Sequence, residues 1–333
     1  MFHKILIRTY TSQRIIFSEF GNPANVLKLE SYNIEPENGK VLVKMLASPV
    51  NPADLNVVQG VYPLKPKVLP DSPGAEGVGV VTHSESANFK EGDWVLPLNV
   101  GFGLWKGYIN LKDSELIKID KNLGLITAAT IQVNPPTALR MLTDFEKLQP
   151  GDTVIQNGGT SGVGRAVIQL CAVLGLKSIS IIRNRSNLDE VKAELKGLGD
   201  SNTVVLTEEE FREQRNPVKC QLALNCVSGK SVIGLIKALD NSRTLVTYGG
   251  MSKQPLVVPT SNFIFNDVQL KGFWMARWRT QSTVKELETM FSYLGSLFLQ
   301  KKLVPPKVEQ IKLTEFQKAV VENSSGKYVL VFD

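Results

Sequence analysis

The sequence predicts an α/β protein of two domains, the first rich in strands and turns and the second a doubly wound parallel sheet. Three observations carry this expectation. A length of 333 residues suits about two domains on the usual scale of ~100–200 residues each. The first third is crowded with prolines and short β-branched runs. From Asn134 onward, short apolar runs alternate with helical stretches at regular spacing, the pattern of right-handed β–α–β crossovers.

In the first third, VLVKMLAS (41–48), EGVGVVTH (76–83) and DWVLPL (93–98) read as strands bounded by Gly, Pro or Asn. Pro49, Pro52, Pro63, Pro66, Pro70 and Pro73 argue against long helices before about residue 125, because each removes a backbone donor and fixes φ. The alternating region predicts strands at TVIQN (153–157), SISII (178–182), TVVL (203–206), QLALNCV (221–227), TLVTYGG (244–250) and VQLKGFWM (268–275). Helices are expected from about Val163, near 230–239 and over 283–300, and the final IKLTEFQKAVV and KYVLVFD should complete the first domain. The expected boundaries are 13–133 with 301–333 for the first domain and 134–300 for the second.

Composition narrows the function. Hydrophobic residues make up 43% and charged residues 21%, an ordinary globular balance. No apolar run approaches the ~18–20 residues a spanning helix needs, so no membrane span is expected. The net charge is +6 with scattered basic residues, which argues against a nucleic-acid partner. Cys171, Cys220 and Cys226 form no CxxC pair and read as buried thiols of a reducing compartment. Only His3 and His83 are present, so a His-rich metal centre or a serine–histidine triad is excluded by inventory, and no metal is expected.

Residues 1–12 carry Lys4, Arg8 and several hydroxyls but no acid, the composition of a mitochondrial targeting segment. Its removal would take away two positive charges and leave about +4. Arg8-Thr9-Tyr10 resembles the Arg-x-Tyr sequence found before mitochondrial processing sites, and the strand-like RIIFSEFG follows from Arg14.

The chemistry begins at the first strand of the second domain. TVIQN runs into Gly158-Gly159-Thr160-Ser161-Gly162-Val163-Gly164 and then a helix. Such a turn lets backbone approach a pyrophosphate, while the helix N-terminus offers unpaired N–H groups. The glycines fall as G-x-x-G-x-G rather than GxGxxG, so position in the βαβ series is what gives the motif weight. About 20 residues on, where an acid would bind the ribose hydroxyl of NAD, stand Arg183-Asn184-Arg185. Two guanidinium groups suit a 2′-phosphate, which favours NADPH. Tyr248-Gly249-Gly250-Met251 ends another parallel strand, where such sheets bind ligands, and Phe273-Trp274-Met275 is read as either an aromatic wall beside the nicotinamide or ordinary core.

These stretches resemble the mitochondrial 2-enoyl thioester reductases of the medium-chain dehydrogenase/reductase superfamily. The resemblance rests on NPADLN (51–56) with QGVY (59–62), VNPPTA (133–138), MLTDFEKLQPGDTVIQN (141–157), SGVG (161–164), RNR (183–185), LALNCVSGKS (222–231), TYGGMSKQP (247–255) and KGFWMARW (271–278). It implies a GroES-like catalytic domain and a Rossmann domain, a mitochondrial location, and NADPH-dependent reduction of trans-2-enoyl thioesters on CoA or acyl carrier protein as the last reductive step of mitochondrial fatty acid synthesis. It makes Tyr62 the catalytic tyrosine. It assigns NADPH contacts to Asn134, Thr160, Ser161, Gly162, Val163, Arg183, Asn184, Arg185, Tyr248, Gly249, Gly250, Met251, Phe273, Trp274, Met275 and Lys327. Ala75, where close relatives carry Asn, and Gly159-Thr160, where they carry a more polar pair, depart from the pattern. The zinc-binding branch needs Cys and His ligands in the first domain, where His83 stands alone.

Two other readings remain open at this point: a zinc-free NADPH quinone oxidoreductase of the same superfamily, and a nucleotide-binding protein without catalysis. A homodimer is also expected, because 268–275 would otherwise leave an apolar open edge on the parallel sheet.

Overall fold

The computed structural model describes residues 9–98, 101–214, 218–321 and 326–332. They fall into two compact units, one within Met1–Val133, Ala276–Leu299 and Pro305–Asp333, the other within Asn134–Met275 and Gln300–Val304.

In the first unit β1 (Tyr10–Phe17) pairs antiparallel with β2 (Leu27–Ile34), in unbroken register from Tyr10–Ile34 to Phe17–Leu27. Residues 1–8 of the expected targeting segment lie outside the described residues, whereas Tyr10, Thr11 and Ser12, read as part of it, belong to this strand. A mixed sheet follows from β3 (Val41–Pro49), β4 (Val78–His83), β5 (Trp94–Pro97), β6 (Tyr108–Leu111) and β7 (Leu116–Lys118). Its order is completed by two strands from the chain's end, β14 (Glu309–Lys312) and β15 (Tyr328–Val331), with β15 lying against β3. Val41, Val43 and Met45 alternate along β3 with the strand's period of two and bury one face against Ile15, Phe17, Trp105 and Leu330. That face is continuous with Val58 on the short helix Pro52–Val58, the element that leads to Tyr62.

The second unit holds β8 (Thr153–Asn157), β9 (Lys177–Ile182), β10 (Thr203–Thr207), β11 (Cys220–Asn225), β12 (Leu239–Thr247) and β13 (Gln269–Gly272). All pair parallel in the order β10-β9-β8-β11-β12-β13, the 3-2-1-4-5-6 winding of dinucleotide-binding sheets. Both faces are covered. Ile179 and Ile181 of β9 pack with Leu235 and Ile236, while Ile182 turns the other way to meet Ile168, Val191 and Leu195. A strand buried on both sides reads as the near-continuous apolar run that the sequence shows here.

One expectation is corrected. The last parallel strand ends at Gly272 rather than at 275: Phe273 N–H still bonds the Thr247 carbonyl at 2.9 Å, but Met275 opens the helix Met275–Gln281. The helix Val284–Leu299, assigned by sequence to the second domain, groups with the first unit. Its apolar stripe buries Leu287, Met290, Phe291 and Leu294, and Gly295 lies against Leu123 of the first unit.

Candidate active site

At the end of β8 the chain enters the glycine turn, and packing at its glycine positions leaves no room for side chains. Gly158 has φ +65°, and a Cβ on it would lie 2.4 Å from the Cys226 sulfur. A Cβ on Gly164 would lie 2.5 Å from the Gly158 carbonyl oxygen. Ser161 caps the twelve-residue helix Gly162–Val173, its Oγ accepting from Gly164 N–H at 3.0 Å, and half-buried Thr160 precedes it. Asn134 joins this site, because a Cβ on Gly162 would meet its Nδ2 at 2.5 Å. Val163 follows in the first helical turn.

The floor of the turn is neutral and hydrogen-bonded. Gln156 Nε2 donates to the Gly164 carbonyl and to Ser180 Oγ, both at 2.9 Å. Asn157 Nδ2 donates to Asn225 Oδ1 and Ser231 Oγ, each at 2.8 Å, and Cys226 N–H returns a bond to Asn157 Oδ1 at 2.8 Å. These bonds join the ends of β8 and β11, the neighbours at which the winding of the sheet reverses. In open parallel sheets that is where ligands bind.

Arg183, Asn184 and Arg185 follow β9 at once; the first two are exposed, and Arg185 keeps its Nε buried without an acceptor. Past β12, Tyr248 N–H bonds the Asn225 carbonyl and Met251 N–H the Cys226 carbonyl, each at 2.9 Å. This brings Tyr248 to Met251 beside Cys226. The Tyr248 hydroxyl is buried without an aligned partner; burial raises its pKa well above the ordinary value, the Cys226 thiol adds to the rise and Ser161 opposes it. Gly249 approaches Cys226, Gly250 is open, and the Met251 side chain is exposed. Phe273 and Met275 are buried, Phe273 edge-on to Phe145 at 5.9 Å, so half-buried Trp274 is the aromatic member of the trio with surface to offer.

A turn whose glycine positions leave no room for a Cβ, a capped helix start and an orphan buried guanidinium N–H fit a dinucleotide carrying an extra phosphate. Among the described residues no three His, Cys, Asp or Glu are grouped to hold a metal. All three cysteines are buried, and burial pushes the Cys220 thiol up to about 12 and raises Cys171 and Cys226 as well, which keeps them protonated at neutral pH.

Tyr62 belongs to the first unit. Its half-buried ring leaves a loop whose flanking Val61 and Leu64 are exposed, and its N–H, like that of Val61, bonds the Asn56 carbonyl at the end of the helix Pro52–Val58 (3.1 and 3.0 Å). That helix begins at Asn51, whose backbone N–H is held by Asp54 Oδ2 at 2.8 Å. Behind it lies a set of buried charges. Asp54 Oδ1 also accepts from Ala75 N–H at 2.9 Å; Glu76 Oε1 accepts from Asn51 Nδ2 at 2.8 Å and Glu76 Oε2 from Gln132 N–H at 3.2 Å. Lys327 lies in this first unit: its ammonium donates to Asn51 Oδ1 and, at 3.4 Å, to the Val50 carbonyl. Burial lowers its pKa, and Glu76 and Asp54 oppose the shift.

The comparisons with known proteins bear on both units. A family profile described as "Alcohol dehydrogenase GroES-like domain" matches residues 37–121, and one described as "Zinc-binding dehydrogenase" matches residues 162–292. The enoyl-[acyl-carrier-protein] reductase, mitochondrial, of Xenopus tropicalis is 41% identical over 99% of this chain and 98% of its own length. That of Homo sapiens is 42% identical over 92% of this chain and 84% of its own length. The chain belongs to the mitochondrial enoyl-[acyl-carrier-protein] reductase family. Among solved structures, a complex of Etr1p with NADP and crotonyl-CoA superposes with a TM-score of 0.89 at 35% identity, covering 97% of this chain and all of that one. A putative NADPH:quinone reductase of Bacillus thuringiensis superposes at 0.84 with 28% identity, covering 97% and 99%.

Membership of this reductase family agrees with the fold expected from sequence, a GroES-like unit and a Rossmann unit. The buried polar residues Glu76, Gln132 and Arg279 escaped the sequence reading, as did Gln156, Asn157 and Asn225 beneath the turn. One local signal was present. Asn51-Pro52-x-Asp54 is a helix-start signature, with a capping residue, proline in the first turn and an acid three residues on.

Proposed function

We propose that this protein is a mitochondrial NADPH-dependent reductase of trans-2-enoyl thioesters, carried on CoA or acyl carrier protein, and performs the last reductive step of fatty acid synthesis there. The observation that carries this reading is likeness of 41–42% over nearly the whole chain to reductases so named, against 28% for the quinone reductase. Asn134, Thr160 to Val163, Arg183 to Arg185, Tyr248 to Met251 and Phe273 to Met275 are the residues proposed to hold the cofactor. Lys327 joins them on the family match. The chemistry NADPH supplies when bound is a hydride, taken up at the β carbon of the double bond.

Reduction at the β carbon pushes an electron pair through the α carbon onto the thioester oxygen, which then requires hydrogen-bond donors. The α carbon must next gain a proton. Tyr62 supplies it from its hydroxyl, directly or through one water, and recovers a proton from solvent, so the net change is one hydride and one proton added across the double bond. Arg183 and Arg185 hold the 2′-phosphate through charge-assisted bonds, and the glycine turn holds the pyrophosphate on backbone N–H groups.

The same reading includes a homodimer. β13 is the open edge of the parallel sheet, its four residues are all exposed, and Phe263, Ile264 and Phe265 in the helix just before it are exposed too. An uncovered strand edge flanked by exposed apolar side chains invites pairing with a second copy. Light scattering at micromolar concentration should give twice the chain mass; the monomer mass would refute it.

The test of the activity is NADPH oxidation with crotonyl-, hexenoyl- and decenoyl-CoA, and with the matching acyl carrier protein thioesters, against a quinone. Turnover of the thioesters with little of the quinone is expected. Quinone turnover alone would make the protein a quinone oxidoreductase, and no oxidation with either would leave a nucleotide-binding protein without catalysis.

A further inference from the structure

The mechanism uses Tyr62 but not the charges buried behind it. Asp54 and Glu76 are carboxylates almost without solvent exposure, and Arg279, 3% exposed, lies in the same unit with Nη2 donating to the carbonyls of Pro97 and Leu98 at 3.3 and 2.5 Å. Its Nε and Nη1 have no hydrogen-bond partner among the described residues, and Glu76 is the charge that opposes the lowering of its pKa by burial. With Lys327 the set holds two acids and two bases, so its charges cancel when all four are ionised. Gln132 ties the set together: its N–H donates to Glu76, its Nε2 donates to the Pro97 carbonyl at 2.7 Å, and its Oε1 accepts from Gly77 N–H at 3.1 Å.

Hydrogen bonds connect this set to the element that carries Tyr62, that of Lys327 to Asn51 Oδ1 among them. Asn51 Nδ2 reaches Glu76 at 2.8 Å, and Ala75 N–H reaches Asp54 at 2.9 Å. Asn51 begins the seven-residue helix Pro52–Val58, and Asn56 of that helix receives the N–H of Tyr62. An element of two turns transmits a displacement of its first residue to its last, because its internal hydrogen bonds keep it rigid. We infer that Glu76 is a positioning residue: through Asn51 and the helix Pro52–Val58 it sets where the Tyr62 hydroxyl lies. Lys327 and Arg279 make this possible by offsetting the cost of a buried carboxylate, a cost that is repaid only when its partners are in place.

The inference rests on Tyr62 being the proton donor, and a double-mutant cycle separates the two claims. Glu76→Gln keeps the side chain's size and an acceptor for Asn51 but removes the charge; Asn51→Ala keeps all four charges and removes the link. In the Tyr62 background each should lower kcat by roughly 10-fold with the KM for NADPH held within about 2-fold; in the Tyr62→Phe background each should lower kcat by less than about 2-fold. Equal losses in both backgrounds would reduce Glu76 to a general structural role and overturn the inference. So would a raised KM for NADPH with unchanged kcat, which would mean that the set acts through Lys327 on the cofactor. Wild-type turnover by Tyr62→Phe alone would remove the mechanism and the inference with it. Thermal melting checks that the variants fold, and if Glu76→Gln unfolds, Asn51→Ala carries the same cycle.

Discussion

Beneath the glycine turn, the second unit buries amides and hydroxyls: Gln156, Asn157, Ser180 and Asn225, bonded to one another and to backbone. Beneath the Tyr62 loop, the first unit buries ionisable groups: Asp54, Glu76 and Arg279, with Lys327 bonded to Asn51 among them. The difference follows from what each region is proposed to hold. A turn meant for phosphates is best floored by neutral groups, since a carboxylate there would repel the ligand; its cations stand where β9 ends, as Arg183 and Arg185. The Tyr62 region must instead fix one side chain, and hydrogen bonds to buried charges resist displacement because removing a partner leaves a charge uncompensated, at a cost of about 3–5 kcal/mol. Changes in the second unit should therefore act on cofactor binding and those in the first on turnover and stability.

The largest effect expected is that of Tyr62→Phe, which removes one hydroxyl. Turnover of crotonyl-CoA should fall by roughly 10²–10⁴-fold with NADPH affinity intact; steady-state kinetics that match the wild type would end the proposed mechanism. Next comes the paired change Arg183→Ala with Arg185→Ala. At about 1.5 kcal/mol for each charge-assisted bond, the KM for NADPH should rise on the order of 10²-fold and that for NADH hardly at all. Equal shifts for both cofactors would show that the arginines do not read the 2′-phosphate. Gly164→Ala should follow at roughly 10- to 100-fold weaker NADPH binding, since overpacking typically costs ~1–3 kcal/mol and the new Cβ would sit 2.5 Å from the Gly158 carbonyl oxygen. Calorimetric titration that found unchanged affinity would place the pyrophosphate elsewhere.

The smallest effect concerns pH and belongs to the first unit alone. Burial raises the Asp54 carboxyl from 3.8 to about 7, against the opposing Asn51 N–H bond and the Lys327 charge. The folded chain holds that proton more tightly than the unfolded one, so the contribution to stability is full below about pH 4 and is lost as pH rises toward about 7. Asp54→Asn removes the titrating group, so its urea midpoint should decline less than the wild type's across that window. An equally steep decline would assign the pH dependence to other groups.

The parallel sheet and its glycine turn were legible because their signals are local. A short run such as TVIQN (153–157) marks a strand buried on both faces, and glycine spacing marks a turn that excludes side chains. The position of Arg183 to Arg185 just past β9 was legible for the same reason, being set by distance along the chain from that turn. Pattern failed where a partner had to be known. The stripe on Val284–Leu299 shows that the helix buries a face, but not that the face meets Leu123. VQLKGFWM shows an apolar run, but whether it stays extended past Gly272 depends on a neighbouring strand, and β12 ends at Thr247 opposite Gly272. The buried charges lie furthest from any local rule. Asn51 meets Glu76 across 25 residues, Glu76 meets Gln132 across 56 and Asn51 meets Lys327 across 276. A carboxylate or an ammonium is read from sequence as solvent-facing, and it becomes a buried partner only when folding brings its opposite charge into the same dry space.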